Sequence, residues 1–464
     1  MRKNNLVKNT AILSFGTLLT KGIQFIMIPL FSRWLSTEDY GTFDVIVTLI
    51  TMAIPFVTLA CGEGIFRFCV NEENQQNQKA VITSGVIFAC LNVTIVSILI
   101  VIVSIISGWD LGICFVAFFI TEVLNEILRA FLRGIKRLDL YSISSILNIV
   151  FIGIFTTLFI LFFELGLKGI ILGYTVGNFI EIILLLLISN FSNYFKMSMF
   201  SVKKIKQIIH YSSPLIVNNI SWWIISASDR ILINLFLGPI QNGIYAIASK
   251  IPSLCSSVFG VFSFSWQQAA IETMNEKGAG EYYNNVFNEM IKILISLSLL
   301  ILSVNFILFN IIFDSRYWNA HFHAPILITA IIFMSLSQFV GGIQISLKQT
   351  KENSSTTVIG AVVNVIINVI FIKYFGLYAA SISTLIAHLT VFYLRYRKIK
   401  KIYTLNVQKS NFIFLLVYTY FFIGSYYINN VYYSMLNLII AFFVVCLLNR
   451  KIFLQIFNKI MKRG

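Results

Sequence analysis

Long apolar stretches follow one another along almost the whole chain, and this pattern constrains the fold more than any other feature. A helix needs ~20 mostly apolar residues to cross a bilayer. The sequence contains fourteen such stretches, at residues 10–32, 41–66, 79–107, 111–134, 142–163, 166–192, 209–237, 243–273, 285–313, 322–348, 354–375, 376–396, 411–429 and 431–456. It therefore predicts an all-α polytopic membrane protein with about fourteen transmembrane helices.

The composition excludes several classes of protein. Hydrophobic residues make up 58% of the 464 residues and charged residues 12%, against roughly 25% charged residues in an ordinary soluble domain. A soluble protein could not bury this much apolar surface. A soluble enzyme, a nucleic-acid-binding protein and a disordered scaffold are therefore excluded, and no large domain outside the membrane is expected.

The distribution of Lys and Arg predicts the orientation in the membrane. With a cytoplasmic N-terminus, 28 of the 35 basic residues lie on the cytoplasmic side, four lie outside and three lie within apolar stretches. Cytoplasmic loops of membrane proteins carry such an excess of Lys and Arg. We expect both termini to be cytoplasmic, and we attribute the net charge of +16 to orientation and not to a nucleic-acid partner.

Two short patterns occur twice, in the same order and with similar spacing. The first pair is 35–43 with 237–245, and the second pair is 132–136 with 347–351, at offsets of 202 and about 215 residues. They predict two parallel six-helix units, an arrangement that transporters use with the substrate site between the repeats. The predicted divisions are an N-terminal lobe at 1–208, a C-terminal lobe at 209–400 and two added helices at 401–464.

Four basic residues are candidates for binding an anionic substrate. A charge at mid-bilayer costs at least ~2.5 kcal/mol, so it usually faces a cavity or a partner. Lys21 lies ~16 Å from either end of its stretch at ~1.5 Å per residue, too far for its side chain to reach the interface. Arg230 and Lys250 lie nearer the outer ends of their stretches. Arg67 lies at an inner end, where it could meet an anion entering from the cytoplasm.

Three acidic residues within the stretches are candidates for ion coupling. Glu181 lies halfway along its stretch and has no basic residue at helical spacing. Asp229 is expected to meet another helix, with Lys250 as one possible partner. Glu122 is a candidate for proton or sodium coupling.

Local ion pairs offer a simpler explanation for some of these charges. Glu122 and Glu126 share a helix face with Arg129 and Arg133, and side chains three or four residues apart on a helix are neighbours. They could therefore form an intrahelical ladder that leads toward the cytoplasm. The same spacing predicts a local pair between Glu63 and Arg67 at the inner end of the second stretch.

The sequence gives no sign of catalytic chemistry. It contains no GxxxxGK[ST] phosphate-binding loop, no Ser/His/Asp arrangement and no cluster of metal-ligand residues. His321 and His323 are expected to lie in a solvated external loop. We therefore expect a protein that is not an enzyme, with no catalytic residue, no metal and no cofactor.

Several short motifs in the two predicted lobes are distinctive together. They are Lys8-Asn9-Thr10, Pro29-Leu30, Leu35-x5-Gly41-x-Phe43, Asp229-Arg230-Ile231 and Gly243-x-Tyr245-x-x-Ala248-x-Lys250-Ile251. In this combination the chain resembles the polysaccharide-transporter family, the Wzx-like flippases of lipid-linked oligosaccharides. That family belongs to a superfamily with multidrug exporters and the lipid II flippase. Lys21 has no arginine beside it in the first stretch, which makes lipid II a less favoured substrate.

The resemblance implies a function in the cytoplasmic membrane of a bacterium. Two six-helix bundles would enclose a cationic cavity that binds an undecaprenyl-diphosphate-linked oligosaccharide. Alternating access would move this unit to the outer leaflet for synthesis of surface polysaccharide such as O-antigen or capsule. Membrane lipid, a polysaccharide polymerase and glycosyltransferases would be further partners.

Two other functions stay open. A cation-coupled multidrug exporter would share the fold but would need a mostly acidic cavity, whereas Lys21, Arg230 and Lys250 bring positive charge. A non-transporting membrane partner of polysaccharide assembly enzymes would show the same hydrophobic pattern. A membrane glycosyltransferase is disfavoured by the short loops and by the lack of a carboxylate or metal site.

Overall fold

The protein is helical throughout the part that the structure describes. The computed structural model describes residues 2–70, 72, 74–274, 276–408, 416–424 and 430–450, and these contain helices and no strands. The helices are α1 Arg2–Trp34, α2 Thr37–Val57, α3 Cys61–Cys69, α4 Gln75–Ser107, α5 Gly112–Gly134, α6 Leu138–Leu161, α7 Gly166–Ile188, α8 Val202–Leu237, α9 Pro239–Ala248, α10 Lys250–Thr273, α11 Ala279–Ile312, α12 Ala324–Ser346, α13 Thr350–Phe375, α14 Leu377–Ile399, α15 416–424 and α16 Val431–Leu448. The predicted all-α class is confirmed.

The helices have the length and composition of membrane spans. Among the described residues, nine helices are long and apolar enough to cross a bilayer, or eleven if two bent pairs of segments each count as one span. α5 falls outside this set, because it carries Glu122, Glu126, Arg129 and Arg133. The polytopic membrane fold is therefore observed, while the count of fourteen spans stays a prediction.

The second predicted stretch is not one continuous helix. α2 ends at Val57 and α3 begins at Cys61. Leu59 and Ala60 between them have φ values of 49° and 52°, a left-handed conformation that cannot continue a right-handed helix. The corresponding stretch of the second repeat is also broken, because α9 and α10 meet at an angle of 44°.

The chain divides into two compact units, residues 1–223 and 224–464. In the first unit α6 packs along α1 and α7, and α7 also contacts α5. In the second unit α14 packs on α12 and α13, and α16 packs on α11. Sequence reasoning placed the first boundary at 208/209. The division into three predicted domains stays a prediction.

Each unit contains the same tight turn between two helices. α5 and α6 are joined by residues 135–137, and α12 and α13 by residues 347–349. The central residues, Lys136 and Lys348, both have φ 63°, a backbone conformation that residues other than glycine rarely adopt. The repeat is therefore visible in the backbone, and it matches Lys136 with Lys348 where the sequence pattern matched it with Lys351.

Candidate functional site

A buried ion pair connects α5 with α7 in the first unit. The Arg129 guanidinium donates from Nε to Glu181 Oε1 at 3.1 Å and from Nη2 to Glu181 Oε2 at 2.7 Å. The Glu181 side chain is 1% exposed and the Arg129 side chain 29%. Glu181 therefore has a cation partner on a neighbouring helix, although no basic residue lies at helical spacing from it within α7. Its partner lies 52 residues away along the chain, on another helix, where helical spacing gives no warning of it.

The other α5 arginine also bonds across helices. Arg133 Nη2 donates to Glu63 Oε1 of α3 at 2.9 Å, and its guanidinium lies 4.9 Å from the centre of the Phe66 ring. The predicted intrahelical ladder is therefore replaced by pairs between helices. Glu63 is bound by Arg133 and not, as the local spacing suggested, by Arg67.

Asparagine amides extend these charges into a polar network. Asn178 Nδ2 donates to Glu122 Oε1 at 3.0 Å, and Asn148 Nδ2 donates to Asn178 Oδ1 at 2.9 Å. Asn125 Nδ2 donates to the carbonyl oxygen of Asn178 at 3.3 Å. We call these residues, together with Arg129 and Glu181, the α5 network. It places two carboxylates among amide groups inside the first bundle.

We expect the Arg129–Glu181 pair to control the stability of the first unit. Arg129→Met leaves a buried carboxylate without its guanidinium, a change that costs ~3–5 kcal/mol in buried pairs. The double variant R129M/E181L removes both charges and should recover most of that loss. Unfolding midpoints in detergent measure both effects. Lys398→Met is the control. Lys398 pairs with Glu352, both side chains are exposed, and such a pair contributes at most ~1 kcal/mol. Equal losses in the single and double variants would contradict the expectation.

A second carboxylate network lies in the second unit around Asp229 of α8. The Asp229 residue is 2% exposed. Asn368 Nδ2 donates to Asp229 Oδ1 at 2.7 Å, Tyr245 Oη donates to Oδ2 at 2.8 Å, and the Thr384 hydroxyl also donates to Oδ2. Sequence reasoning suggested a cation as the partner of Asp229, whereas these described donors are neutral.

Further amide and hydroxyl groups surround these contacts. Ser228 Oγ donates to Asn364 Oδ1 at 3.1 Å, and Asn364 Nδ2 lies 3.4 Å from the hydroxyls of Ser383 and Thr384. Asn368 Oδ1 is buried and accepts no hydrogen bond from a described residue. We call this set, with Asp229 and Tyr245, the Asp229 network. One carboxylate among neutral oxygen atoms can bind a proton or a small hard cation, which prefers oxygen ligands.

Among the residues that the structure describes, no group of three or more His, Cys, Asp or Glu side chains could hold a metal ion. His321 and His323 are 0% and 5% exposed, so the expectation of a solvated loop is wrong for both. His321 Nδ1 lies 2.6 Å from the Trp318 carbonyl oxygen, and His323 Nδ1 lies 3.3 Å from Ser381 Oγ. The rings of Trp318 and Tyr378 also pack against His321 and His323, with 4.7 Å and 4.6 Å between ring centres.

The four basic candidates lie in different parts of the two units. Lys21 is exposed on α1, and its Nζ donates to Gln24 Oε1 at 3.2 Å. Arg67 is exposed on α3. Arg230 lies next to Asp229 on α8 and donates from Nη2 to Ser249 Oγ at 3.2 Å, while Lys250 is the first residue of α10. Ser249, the residue that Arg230 contacts, lies between α9 and α10 and directly precedes Lys250.

Sequence reasoning found the acidic members of both networks but missed the amides. Asn178, Asn148, Asn364 and Asn368 carry no charge, so a search for charged residues within apolar stretches passes over them. A usable signal existed, because an asparagine inside a span must find a hydrogen-bond partner or bear the cost of burial.

A comparison with protein families identifies the chain. The model of a family described as polysaccharide biosynthesis protein matches residues 6–267, more than half of the chain. The chain belongs to this family. The match spans the whole α5 network and reaches Asp229, Tyr245 and Lys250 of the second unit. No curated protein sequence matches the chain.

Comparison with solved structures places this family member in a transporter fold. The lipid II flippase MurJ in an inward-closed conformation is similar, with a TM-score of 0.74 at 13% identity, over 97% of this chain and 100% of that chain. A multidrug resistance MATE family transporter of the MOP superfamily is similar in its inward-facing conformation, with a TM-score of 0.67 at 14% identity, over 84% of this chain and 95% of that chain. An outward-facing structure of a transporter with the same description gives a TM-score of 0.60 at 13% identity, over 85% of this chain and 96% of that chain.

Proposed function

We propose that the protein is a flippase for undecaprenyl-diphosphate-linked oligosaccharides. It would move them from the cytoplasmic to the outer leaflet of a bacterial cytoplasmic membrane, for surface polysaccharides such as O-antigen or capsule. The observation that carries the proposal is membership of a polysaccharide biosynthesis family in a chain whose fold is that of flippases and transporters. In this proposal the protein moves a finished lipid-linked unit that other enzymes have assembled.

The substrate diphosphate would be bound by Lys21, Arg67, Arg230 and Lys250. Phosphate is recognised by ammonium and guanidinium groups through charge-assisted hydrogen bonds. Helices in a membrane keep such groups only where a cavity or a partner offsets their cost. In this proposal the four side chains form a cationic cavity, the prenyl chain stays in the lipid, and the two lobes alternate between inward-open and outward-open states with both termini cytoplasmic.

Buried carboxylates would couple this movement to an ion. Asp229 is the foremost candidate, because its described hydrogen-bond donors are neutral and the nearby Arg230 guanidinium acts on it only through space. Glu122 accepts only an amide hydrogen bond from Asn178 among the described contacts. Glu181 is the weakest candidate, because Arg129 holds it in a bidentate pair.

We expect the membrane potential to favour outward transport directly. A headgroup with about two negative charges gains ~4.6 kcal/mol per 100 mV when it leaves an inside-negative compartment, at ~2.3 kcal/mol per charge. Proteoliposomes with imposed potassium diffusion potentials would show faster outward flipping at inside-negative voltage and slower flipping when the sign is reversed. One-way flipping that is undiminished at zero potential, with no ion gradient, would contradict the electrical contribution.

A cation-coupled multidrug exporter is the second candidate, favoured by the likeness to multidrug transporters of known structure. The same proteoliposomes distinguish the two functions when they are loaded with a lipophilic cationic dye. A flippase leaves dye export at the level of protein-free vesicles, whereas an exporter drives dye out under a proton or sodium gradient.

A polymerase and glycosyltransferases would act beside the flippase in the cell, so co-purification with such enzymes from membranes is a further expectation.

A further inference from the structure

A polar cavity of about 490 Å³ lies in the first unit, apart from both carboxylate networks. Its walls come from the first turns of α4, the turn between α5 and α6, and the segment that follows α7. Nine of its ten lining residues are polar or charged, and three of them, Lys79, Arg137 and Lys196, are basic. None of the lining residues that the structure describes is acidic. We call this site the basic cavity.

The walls of the basic cavity are fixed by contacts that do not involve its charges. The backbone N–H of Lys196 donates to Thr83 Oγ1 of α4 at 3.1 Å, which ties the segment after α7 to α4. Gln78 Nε2 donates to the Cys69 carbonyl oxygen at 3.3 Å. The Phe131 ring of α5 packs edge-on against Tyr194, with 5.4 Å between ring centres. The cavity is therefore built by three packed elements and is not a gap between loose loops.

The positive charge of the basic cavity is available to a ligand. Lys79 and Lys196 form no ion pair with another residue that the structure describes. Arg137 donates to Asp139 from Nε at 3.2 Å and from Nη2 at 3.3 Å, but both side chains are about half exposed, at 49% and 53%. An exposed pair of this kind is worth at most ~1 kcal/mol, so an anion can compete for the guanidinium. Three cations among amide and hydroxyl groups fit a phosphate that carries further oxygen atoms.

Apolar side chains continue from the rim of the basic cavity. Leu187 and Ile188 at the end of α7 are 68% and 51% exposed, and Met197, next to Lys196, is 70% exposed. A basic cavity beside exposed apolar side chains is complementary to an anionic phospholipid. The headgroup would lie in the cavity and the acyl chains would lie along the apolar residues. The distribution of Lys and Arg predicts this end of the bundle to be cytoplasmic, and basic pockets between transmembrane helices on that side bind anionic headgroups.

We infer that the basic cavity binds the phosphate of an anionic phospholipid headgroup from the cytoplasmic leaflet. The group that the cavity would recognise is a phosphate with neighbouring hydroxyl oxygens, which either a lipid headgroup or a soluble phosphate compound could supply. The adjacent apolar side chains favour a lipid such as phosphatidylglycerol over soluble phosphate. This site is separate from the residues assigned to the transported substrate, so it does not depend on the proposed function.

Lipid binding to the purified full-length protein tests the inference. The triple variant K79Q/R137Q/K196Q removes the three cations, and K203Q/K206Q/K277Q is the matched control, because its three lysines are exposed and lie outside the cavity. Native mass spectrometry and thermal shift with phosphatidylglycerol measure binding, with phosphatidylcholine and inorganic phosphate as parallel arms. At about fivefold per cation we expect roughly 100-fold weaker phosphatidylglycerol binding in the cavity variant and less than about a threefold change in the control.

Each other result overturns a stated part of the inference. Unchanged phosphatidylglycerol binding in the cavity variant, or an equal loss in the control, excludes the basic cavity as the lipid site. If inorganic phosphate raises the unfolding temperature and phosphatidylglycerol does not, the ligand is a soluble anion and the assignment to a lipid is wrong. If the triple variant is not folded, the double variant K79Q/K196Q, which keeps the Arg137–Asp139 pair, replaces it. Its expected loss is roughly 25-fold, at the same factor per cation.

Discussion

Asp229→Asn is expected to abolish the ion dependence of transport while leaving the protein folded. An asparagine can still accept from Asn368 and can donate to the Tyr245 and Thr384 oxygens, so the hydrogen bonds of the Asp229 network have replacements. Only the negative charge is lost. Coupling between two sites is typically worth ~1–3 kcal/mol, or roughly 5–150-fold in affinity, and the variant should reduce that effect to within about twofold.

The measurement compares flipping in proteoliposomes with and without a proton or sodium gradient. The probe is undecaprenyl diphosphate that carries a fluorescent oligosaccharide, scored by its accessibility at the outer surface. Asp110→Asn is the matched control, because Asp110 is exposed between α4 and α5. Wild-type ion dependence in Asp229→Asn, with wild-type unfolding behaviour, would exclude Asp229 as the coupling residue and leave Glu122 as the next candidate.

Lys21→Ala is expected to cause the largest loss of transport among the basic candidates. A hydrogen bond between charged groups contributes ~1.5–3 kcal/mol, so kcat/KM for the lipid-linked oligosaccharide should fall roughly 10–150-fold. Lys21→Arg should retain part of the activity, because the positive charge is kept. Unfolding midpoints of both variants in detergent show whether the loss of transport has a structural cause, because the Lys21 ammonium also donates to Gln24 within α1.

Cells provide an independent measurement of the same variant. Loss of surface polysaccharide at a normal protein level supports transport. Lys168→Ala is the control, because Lys168 is exposed in the first turn of α7 on the predicted outer side. Normal polysaccharide in cells with Lys21→Ala would favour the alternative of a non-transporting partner that organises polysaccharide assembly enzymes.

Helix class and approximate helix positions could be predicted from the sequence, because bilayer thickness sets a length that apolar runs must meet. The break at Leu59 and Ala60 could not, because neither residue is one that usually interrupts a helix. The left-handed turn at Lys136 was hidden for the same reason, although its repetition at Lys348 shows that both units need it.

The candidate site was predictable residue by residue but not as an arrangement. Glu122, Glu181 and Asp229 were found because charge within an apolar stretch is costly. Their partners were not, because Arg129 and Glu181 lie 52 residues apart, and Asn368 and Asp229 lie 139 residues apart. Spacing rules report only contacts within one helix, whereas these networks connect different helices.

Flipping by the purified protein alone tests the central claim most directly. Proteoliposomes that contain only this chain should move undecaprenyl diphosphate with a fluorescent oligosaccharide to the opposite leaflet in a saturable way, and the variant K21A/R230A/K250A should lose that activity at equal incorporation. Lipid movement no faster than in protein-free vesicles, or undiminished movement by the triple variant, would contradict a flippase that works through a cationic cavity.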